Sequence, residues 1–249
     1  MAYASYQGKL YLAKIVAGIV QAMREVGNAP EFVVETDSEV FEHKESMTGQ
    51  RTTDFTMTKT KSVKVSATLE DFNRENLALA VSGNIVSVKP EPISNHVFGT
   101  VKVGDMVKLK GFNVTSVTIK DSTGSAKTLE KDTHYTLDEK LGKVVFKNID
   151  GFKQPFIAEY TTGAVEVTTI MSADDDEYQL YFEGVNTVTG EDVILELWRL
   201  KKQAKGSIPF IHEELGKIEL AGDALSDKTK QNDPSLGLFG RVTVLPKTA

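Results

Sequence analysis

The chain has 249 residues, 40% apolar and 26% charged, with a formal net charge of −6 and no cysteine. The missing cysteine excludes disulfides and cysteine-based zinc sites and fits assembly in a reducing cytoplasm. The acidic balance argues against a protein that grips nucleic acid, which needs a basic patch to neutralise phosphates. The longest uninterrupted apolar run, around Ile15–Val20, is far too short to span a bilayer, and MAYASYQGK lacks the layout of a signal peptide.

In chain order, GKLYLAKI and IVQAMREVG suit a first hairpin around Val16–Gly18. A helix over Ala13–Val26 competes on propensity, but Gly18 followed by Ile19-Val20 weakens it. Gly27–Pro30 is a turn. Next comes one very long β-hairpin. Its outgoing arm, Phe32 to Phe41, has no internal Gly or Pro. Its return arm places Phe55, Met57, Lys59, Lys61, Val63, Val65 and Ala67 on one face. Thr56, Thr58, Thr60, Ser62, Lys64 and Ser66 fall on the other, the alternation of a half-buried strand. Between the arms, Glu42, His43, Lys44, Glu45, Ser46, Met47, Thr48, Gly49, Gln50 and Arg51 have the composition of a loop tip.

Such an arm, about 15 residues at roughly 3.3 Å each, reaches on the order of 50 Å. A compact body of this length has a radius of gyration of roughly 18 Å. The tip therefore has little to bury against in its own subunit, and a long polar edge invites another chain. A helix follows, with Thr68 as cap and Asp71 three residues on. Leu69, Phe72, Leu79 and Ala80 lie along one face, and Gly83 offers the left-handed C-terminal cap.

Pro90 and Pro92 mark an extended connector. From Gly99 to Gly163, short alternating strands between turns predict a small immunoglobulin-like sandwich, without the Cys and Trp landmarks of true immunoglobulin domains. Residues 99–163 are thus an insertion in a domain split between 1–98 and 164–249. Val165–Met171 is expected to rejoin the main sheet. Tyr178, Leu180 and Phe182 alternate in a strand that NTVTG turns into VILELWRL. That second arm, apolar on both faces for part of its length, suits a central strand. GSIPF suits a linker, Gly216–Ala224 and Gly240–Leu245 are the last strands, and DKTKQNDPSLG is a loop.

Catalytic signatures are missing. His43, His96, His134 and His212 are scattered, and His212-Glu213-Glu214 lacks the second histidine of a zinc helix. The run Asp174-Asp175-Asp176-Glu177 is not a calcium loop and suits a solvated acidic turn. No nucleophile elbow, phosphate loop or dinucleotide fingerprint occurs, and Trp198 suits packing. The expectation is a protein that is not an enzyme, with no cofactor and no metal.

Taken together, QGKLYLA, VGNAPEFVVET, EVFEHKESMTGQRTTDF, TLEDFNRENLALAVSG, YFEGVNTVTGEDVILELWRLKK and ELGKIELAGDAL resemble the tail tube proteins of long, non-contractile-tailed bacteriophages. The likeness keeps its order over most of the chain and favours strands in the first segment. It implies a mainly β, tail-tube-type sandwich or barrel with one amphipathic helix and the inserted domain. It further implies a structural virion protein whose six-fold rings join inward-facing strands into a barrel and stack into a tube. The phage genome would leave through that tube without specific binding. Implied partners are further copies of the chain, a tape measure protein, and tail terminator and distal tail proteins; no membrane is implied. Residues 42–51 would then stack rings, and Thr56, Thr58, Thr60, Ser62 and Lys64 would face the lumen, with Glu183 or Glu196 offsetting Lys64. The place of action would be the virion tail, assembled in the host cytoplasm. The inner tube of a contractile tail or secretion apparatus shares this architecture, although an insertion on the outer surface argues for the non-contractile type. A monomeric β-rich binding module is the remaining alternative.

Overall fold

The computed structural model describes residues 3–173, 176–203, 208–211 and 213–247. The first strands are β1 (Tyr6–Val16), β2 (Ile19–Val20), β3 (Arg24–Glu25), β4 (Glu31–Lys44) and β5 (Thr53–Leu69), followed by helix α1 (Arg74–Ala80). Then come β6 (Ile85–Val88), β7 (Pro92–Val97), β8 (Met106–Lys108), β9 (Thr115–Lys120) and β10 (Thr128–Leu129). Next are β11 (Tyr135–Asp138), β12 (Lys143–Phe146), β13 (Ile157–Thr161) and β14 (Val165–Thr168). The chain closes with β15 (Glu177–Asn186), β16 (Asp192–Lys202), β17 (Ile218–Ala224) and β18 (Gly240–Leu245). The protein is mainly β.

Two compact units emerge. Met1–Ile85 with Thr168–Ala249 forms one, and Val86–Val167 the other. The second unit starts before the expected residue 99 because Pro92–Val97 pairs with β13. It runs past 163 because Val165–Thr168 pairs with β6 in a sheet of its own. The expected return of Val165–Met171 to the main sheet is therefore corrected.

In the first unit, strand order is β2-β1-β15-β16-β17-β5-β4, with β18 beside β16 and β3 beside β1. The β1–β2 turn has Ala17 and Gly18 at φ 50° and 78°, the left-handed geometry that a tight hairpin requires. Strand β16 is central, as its two apolar faces predicted. Its C-terminal end pairs with β17 and its N-terminal part with β18. Leu10, Leu12, Val65, Leu69, Leu180, Leu197, Leu200, Ile218 and Leu220 form the core on one face of the sheet. Full burial of each such side chain contributes about 1.5–3 kcal/mol.

The helix is shorter than its sequence suggests. Thr68 belongs to β5, and the cap is Asn73, whose side chain accepts the Asn76 amide at 2.8 Å. Phe72 stays 42% exposed outside the core, whereas Leu79 is buried in it. The left-handed residue after the helix is buried Ser82, at φ 50°. Gly83 is needed for another reason: a Cβ there would stand 1.7 Å from the Thr169 carbonyl oxygen. The Lys202 ammonium donates to the Leu79 carbonyl, a cation at the negative end of the helix. Fully buried Asn76 donates from Nδ2 to the carbonyls of Val26 and Asp71, at 2.7 and 2.8 Å. Replacing Asn76 with Leu leaves both carbonyls short of a donor, so chemical denaturation is expected to show a loss of about 1–3 kcal/mol.

Besides the β6–β14 pair, the second unit has the sheets β10-β9-β13-β7 and β11-β12-β8, which surround one core. Phe146 stacks on Phe156 at 5.4 Å, and Phe98 meets Phe146 edge-on at 5.9 Å. Buried Asp121 accepts from the Thr123 hydroxyl and the Lys127 amide, both at 2.7 Å, and so closes the β9–β10 turn. Tyr160 OH accepts from the Lys110 amide at 2.8 Å and lies 2.6 Å from His96 Nδ1.

Burial first, and the Lys110 charge second, lower the His96 pKa. The unfolded chain then holds more protons on this group below its ordinary value of about 6.5. Stability is full above that value and is lost as pH falls toward the lower folded value. The unfolding temperature of the parent is expected to drop as pH falls below about 6.5, with a shallower slope in His96→Gln. Equal slopes by calorimetry would remove His96 from the account.

Candidate functional site

Strands β4 and β5 make the long hairpin, and its two halves differ. At the base, Phe32 and Val34 on β4 and Val65 and Ala67 on β5 pack on the core face, as alternation predicts. Beyond Glu35 on β4, and from Lys61 outward on β5, every residue is exposed, so neither face of the distal ribbon is covered. Val40, Phe41, Phe55 and Met57 are among these exposed residues. Lys59 Nζ lies 5.5 Å from the Phe41 ring centroid and 3.5 Å from Glu39, the few contacts that a two-stranded ribbon can supply to itself.

The strands extend further toward the tip than expected. His43 and Lys44 belong to β4, and His43 Nδ1 sits 2.6 Å from Asp54 Oδ1 on the opposing strand. The loop is therefore 45–52. Glu45 organises it: its carboxylate accepts the amides of Met47 and Thr48, at 2.6 and 2.9 Å, and the Thr48 hydroxyl. The Thr48 hydroxyl first, then the amide bonds, hold the Glu45 pKa below the ordinary carboxylate value. Ser46, Gly49, Gln50 and Arg51 are exposed, and Met47 at the apex is 90% exposed.

One expectation about the faces is corrected. Glu39 opposes Thr60, but Val40 opposes Thr58, so Lys59 is an extra residue in β5. Directly opposed residues share a face and side chains alternate, so one inserted residue reverses the alternation beyond it. Thr60, Ser62, Lys64 and Ser66 stand on the polar face of the sheet. Thr56 and Thr58 stand on the opposite side, and Phe55 and Met57 continue the polar side. The five hydroxyl and lysine positions do not line one surface. The signal was the weakening of the apolar row at Lys59 and Lys61, where period two alone places polar heads among Phe, Met and Val.

The partner of Lys64 is also corrected. The register runs across five strands from Glu35 through Lys64, Asp223 and Lys201 to Glu177. This is a row of alternating charge. Lys64 therefore faces Glu35 and Asp223. Glu183 accepts the Tyr11 hydroxyl at 2.7 Å, and Glu196 accepts Arg241 Nε at 2.5 Å. The Glu183 carboxylate drives the Tyr11 pKa up to about 12. Arg199 closes the far end of the row with two 2.8 Å contacts to Glu177, whose pKa it lowers.

The same register puts Glu31, Asp37, Glu39, Glu183, Glu196 and Glu219 on this face, with Lys9 and Arg241 as further cations. Carboxylates outnumber cations here. The period-two run Glu35, Asp37, Glu39 carried that signal on β4, but its continuation onto β15 and β17 depended on pairing that no local pattern shows. Trp198 is buried and donates from Nε1 to the Gly237 carbonyl at 3.1 Å, a packing role. Asp174, Asp175, His212 and part of the GSIPF segment lie outside the described residues. Among the described residues no cluster of three metal-ligating side chains occurs, and no helix is long and apolar enough to cross a membrane.

A family model described as "Protein of unknown function UCP028589" matches residues 3–243. No curated protein matches the chain.

Proposed function

We propose that this chain, which belongs to the UCP028589 family, is a structural subunit of a phage tail tube. In this reading it forms stacked six-fold rings whose bore carries the genome out of the virion. The observation that carries the reading is the ribbon of β4 and β5. Its outer half exposes both faces, large apolar side chains included, and no described residue covers them. A ribbon so long and so bare gains its burial from another copy.

The polar face of the nine-stranded sheet supports the second half of the reading. Turned toward a channel, its excess of carboxylates repels phosphate, so DNA slides instead of sticking. Lys64 and Lys201, flanked by acids, are poorly placed to trap a phosphate. The reading takes the tail-tube-type fold as the setting. Tape measure, terminator and distal tail proteins would meet the finished tube, which would assemble in the host cytoplasm and serve in the virion tail.

Negative-stain microscopy of the purified full chain, with light scattering, tests the proposal. Rings or tubes with an open bore are the expected result. A chain that stays monomeric at every concentration is the binding-module alternative and overturns the reading.

A further inference from the structure

We propose that Met47 is a modification site: peroxide converts its thioether to the sulfoxide, and the oxidised subunit assembles poorly. This rests on the reading that copies meet through the tip of the ribbon.

The chain has no cysteine, so methionine supplies its only sulfur. A peroxide that reaches the protein finds no faster-reacting thiol. Among the described methionines Met47 stands apart. It is 90% exposed, against 57% or less for Met23, Met57, Met106 and Met171.

The tip holds it there. Glu45 is buried, and its carboxylate accepts the Met47 and Thr48 amides at 2.6 and 2.9 Å. The Thr48 hydroxyl donates to the same carboxylate. Ser46, Gly49, Gln50 and Arg51 are exposed, and the loop has no second large apolar residue to fold over the sulfur. By contrast, Met57 stands on β5 opposite Phe41, and Met106 on β8 opposite Val145. Cross-strand neighbours at that spacing shield part of each side chain.

The step balances with the peroxide alone. A sulfur lone pair attacks one peroxide oxygen, the O–O bond breaks and an S–O bond forms. The departing hydroxide takes the proton left on the new oxygen, giving sulfoxide and water. Sulfur gives up two electrons and the peroxide gains them. A dithiol reductase reverses the step, returning the thioether and water as its two thiols become a disulfide.

The sulfoxide is polar where the thioether is apolar, so the tip loses its one apolar anchor. Assembly in a reducing cytoplasm keeps the anchor. Once rings stack, the covered sulfur is out of reach of peroxide.

The test treats the full chain with hydrogen peroxide before assembly and follows each methionine by peptide mass mapping. Met47 is expected to oxidise about twofold faster, or more, than Met23, Met57, Met106 or Met171. The oxidised chain is expected to keep the parental unfolding temperature. It is expected to need about tenfold more protein to assemble, the effect of leaving roughly one methionine unburied. Methionine sulfoxide reductase is expected to restore the parental threshold. The threshold of Met47→Leu, whatever its own level, is expected not to move on peroxide treatment. Oxidation of Met47 no faster than the others, or an unchanged threshold after oxidation, overturns the inference and leaves the tube reading standing. A Met47→Leu threshold that rises with peroxide has the same meaning, because it puts the effect on another residue. A parent that never assembles overturns both.

Discussion

Deleting Ser46–Gly49, with Gln50→Asn and Arg51→Gly to close the shortened turn, is expected to leave the subunit folded and to abolish its polymerisation. Among the described residues the apex hydrogen-bonds only within the tip: the Glu45 carboxylate binds Met47 and Thr48, and the Glu45 amide donates to the Thr52 carbonyl at 2.9 Å. Removing it leaves Glu45 and Thr52 joined by two residues, the length that an Asn-Gly turn of type I′ spans without strain. The core is remote from this change, so the unfolding temperature is expected to stay within about 2 °C, as for other surface changes of under about 0.5 kcal/mol. Assembly loses the end of the ribbon that reaches furthest from the body, including the apolar Met47. Calorimetry and electron microscopy of the same preparation separate the two effects. Tubes of ordinary length from a folded deletion variant would show that the tip does not stack rings.

Reversing charge on the polar sheet face is expected to have the opposite pattern, with normal tubes and an altered bore. Glu35→Lys with Glu219→Lys shifts the charge by about +4 per chain and about +24 per six-fold ring, turning a repellent wall into one that binds phosphate. Both residues are exposed on the face that Lys64 shares, and Glu219 pairs with Thr68 across the sheet. Parental tubes are expected not to retain DNA. Variant tubes are expected to retain it at low salt and release it over roughly a tenfold rise in salt, because each phosphate contact releases counterions. Particles carrying the variant should eject their genome more slowly. Charge-reversed tubes that neither bind DNA at low salt nor slow ejection would mean that this face does not line the channel. Thr58 and Thr60, both expected to face the lumen, stand on opposite sides of the ribbon and cannot report on one surface.

Several parts of this molecule were legible residue by residue. The alternation of Val63, Val65 and Ala67, and of Tyr178, Leu180 and Phe182, reflects a side-chain period of two that any half-buried strand imposes. The Val16–Gly18 turn, the central place of VILELWRL and the β character of Gly99–Gly163 followed from equally local rules. The helix showed how local rules compete. Thr68-Leu69-Glu70-Asp71 resembles a capping box, yet Thr68 and Leu69 gain more by pairing with Glu219 and Ile218. The strand therefore runs on and Asn73 takes the cap. Likewise Val165–Thr168 has a strand's composition but pairs with β6 instead of the main sheet.

Sequence alone thus determined that the chain is a β-rich protein with a very long hairpin, because composition and period act within a few residues of each other. Tertiary structure decided which residues share a surface. Lys59 is an ordinary lysine until Glu39 pairs with Thr60 and Val40 with Thr58; only then does one unpaired residue send Thr58 and Thr60 to opposite faces. The charge row from Glu35 to Glu177 spans β4, β5, β17, β16 and β15. The physical reason is register: it is set between strands distant in sequence, by the burial of Val65, Leu200 and Leu220 in one core. No window of neighbouring residues contains that information.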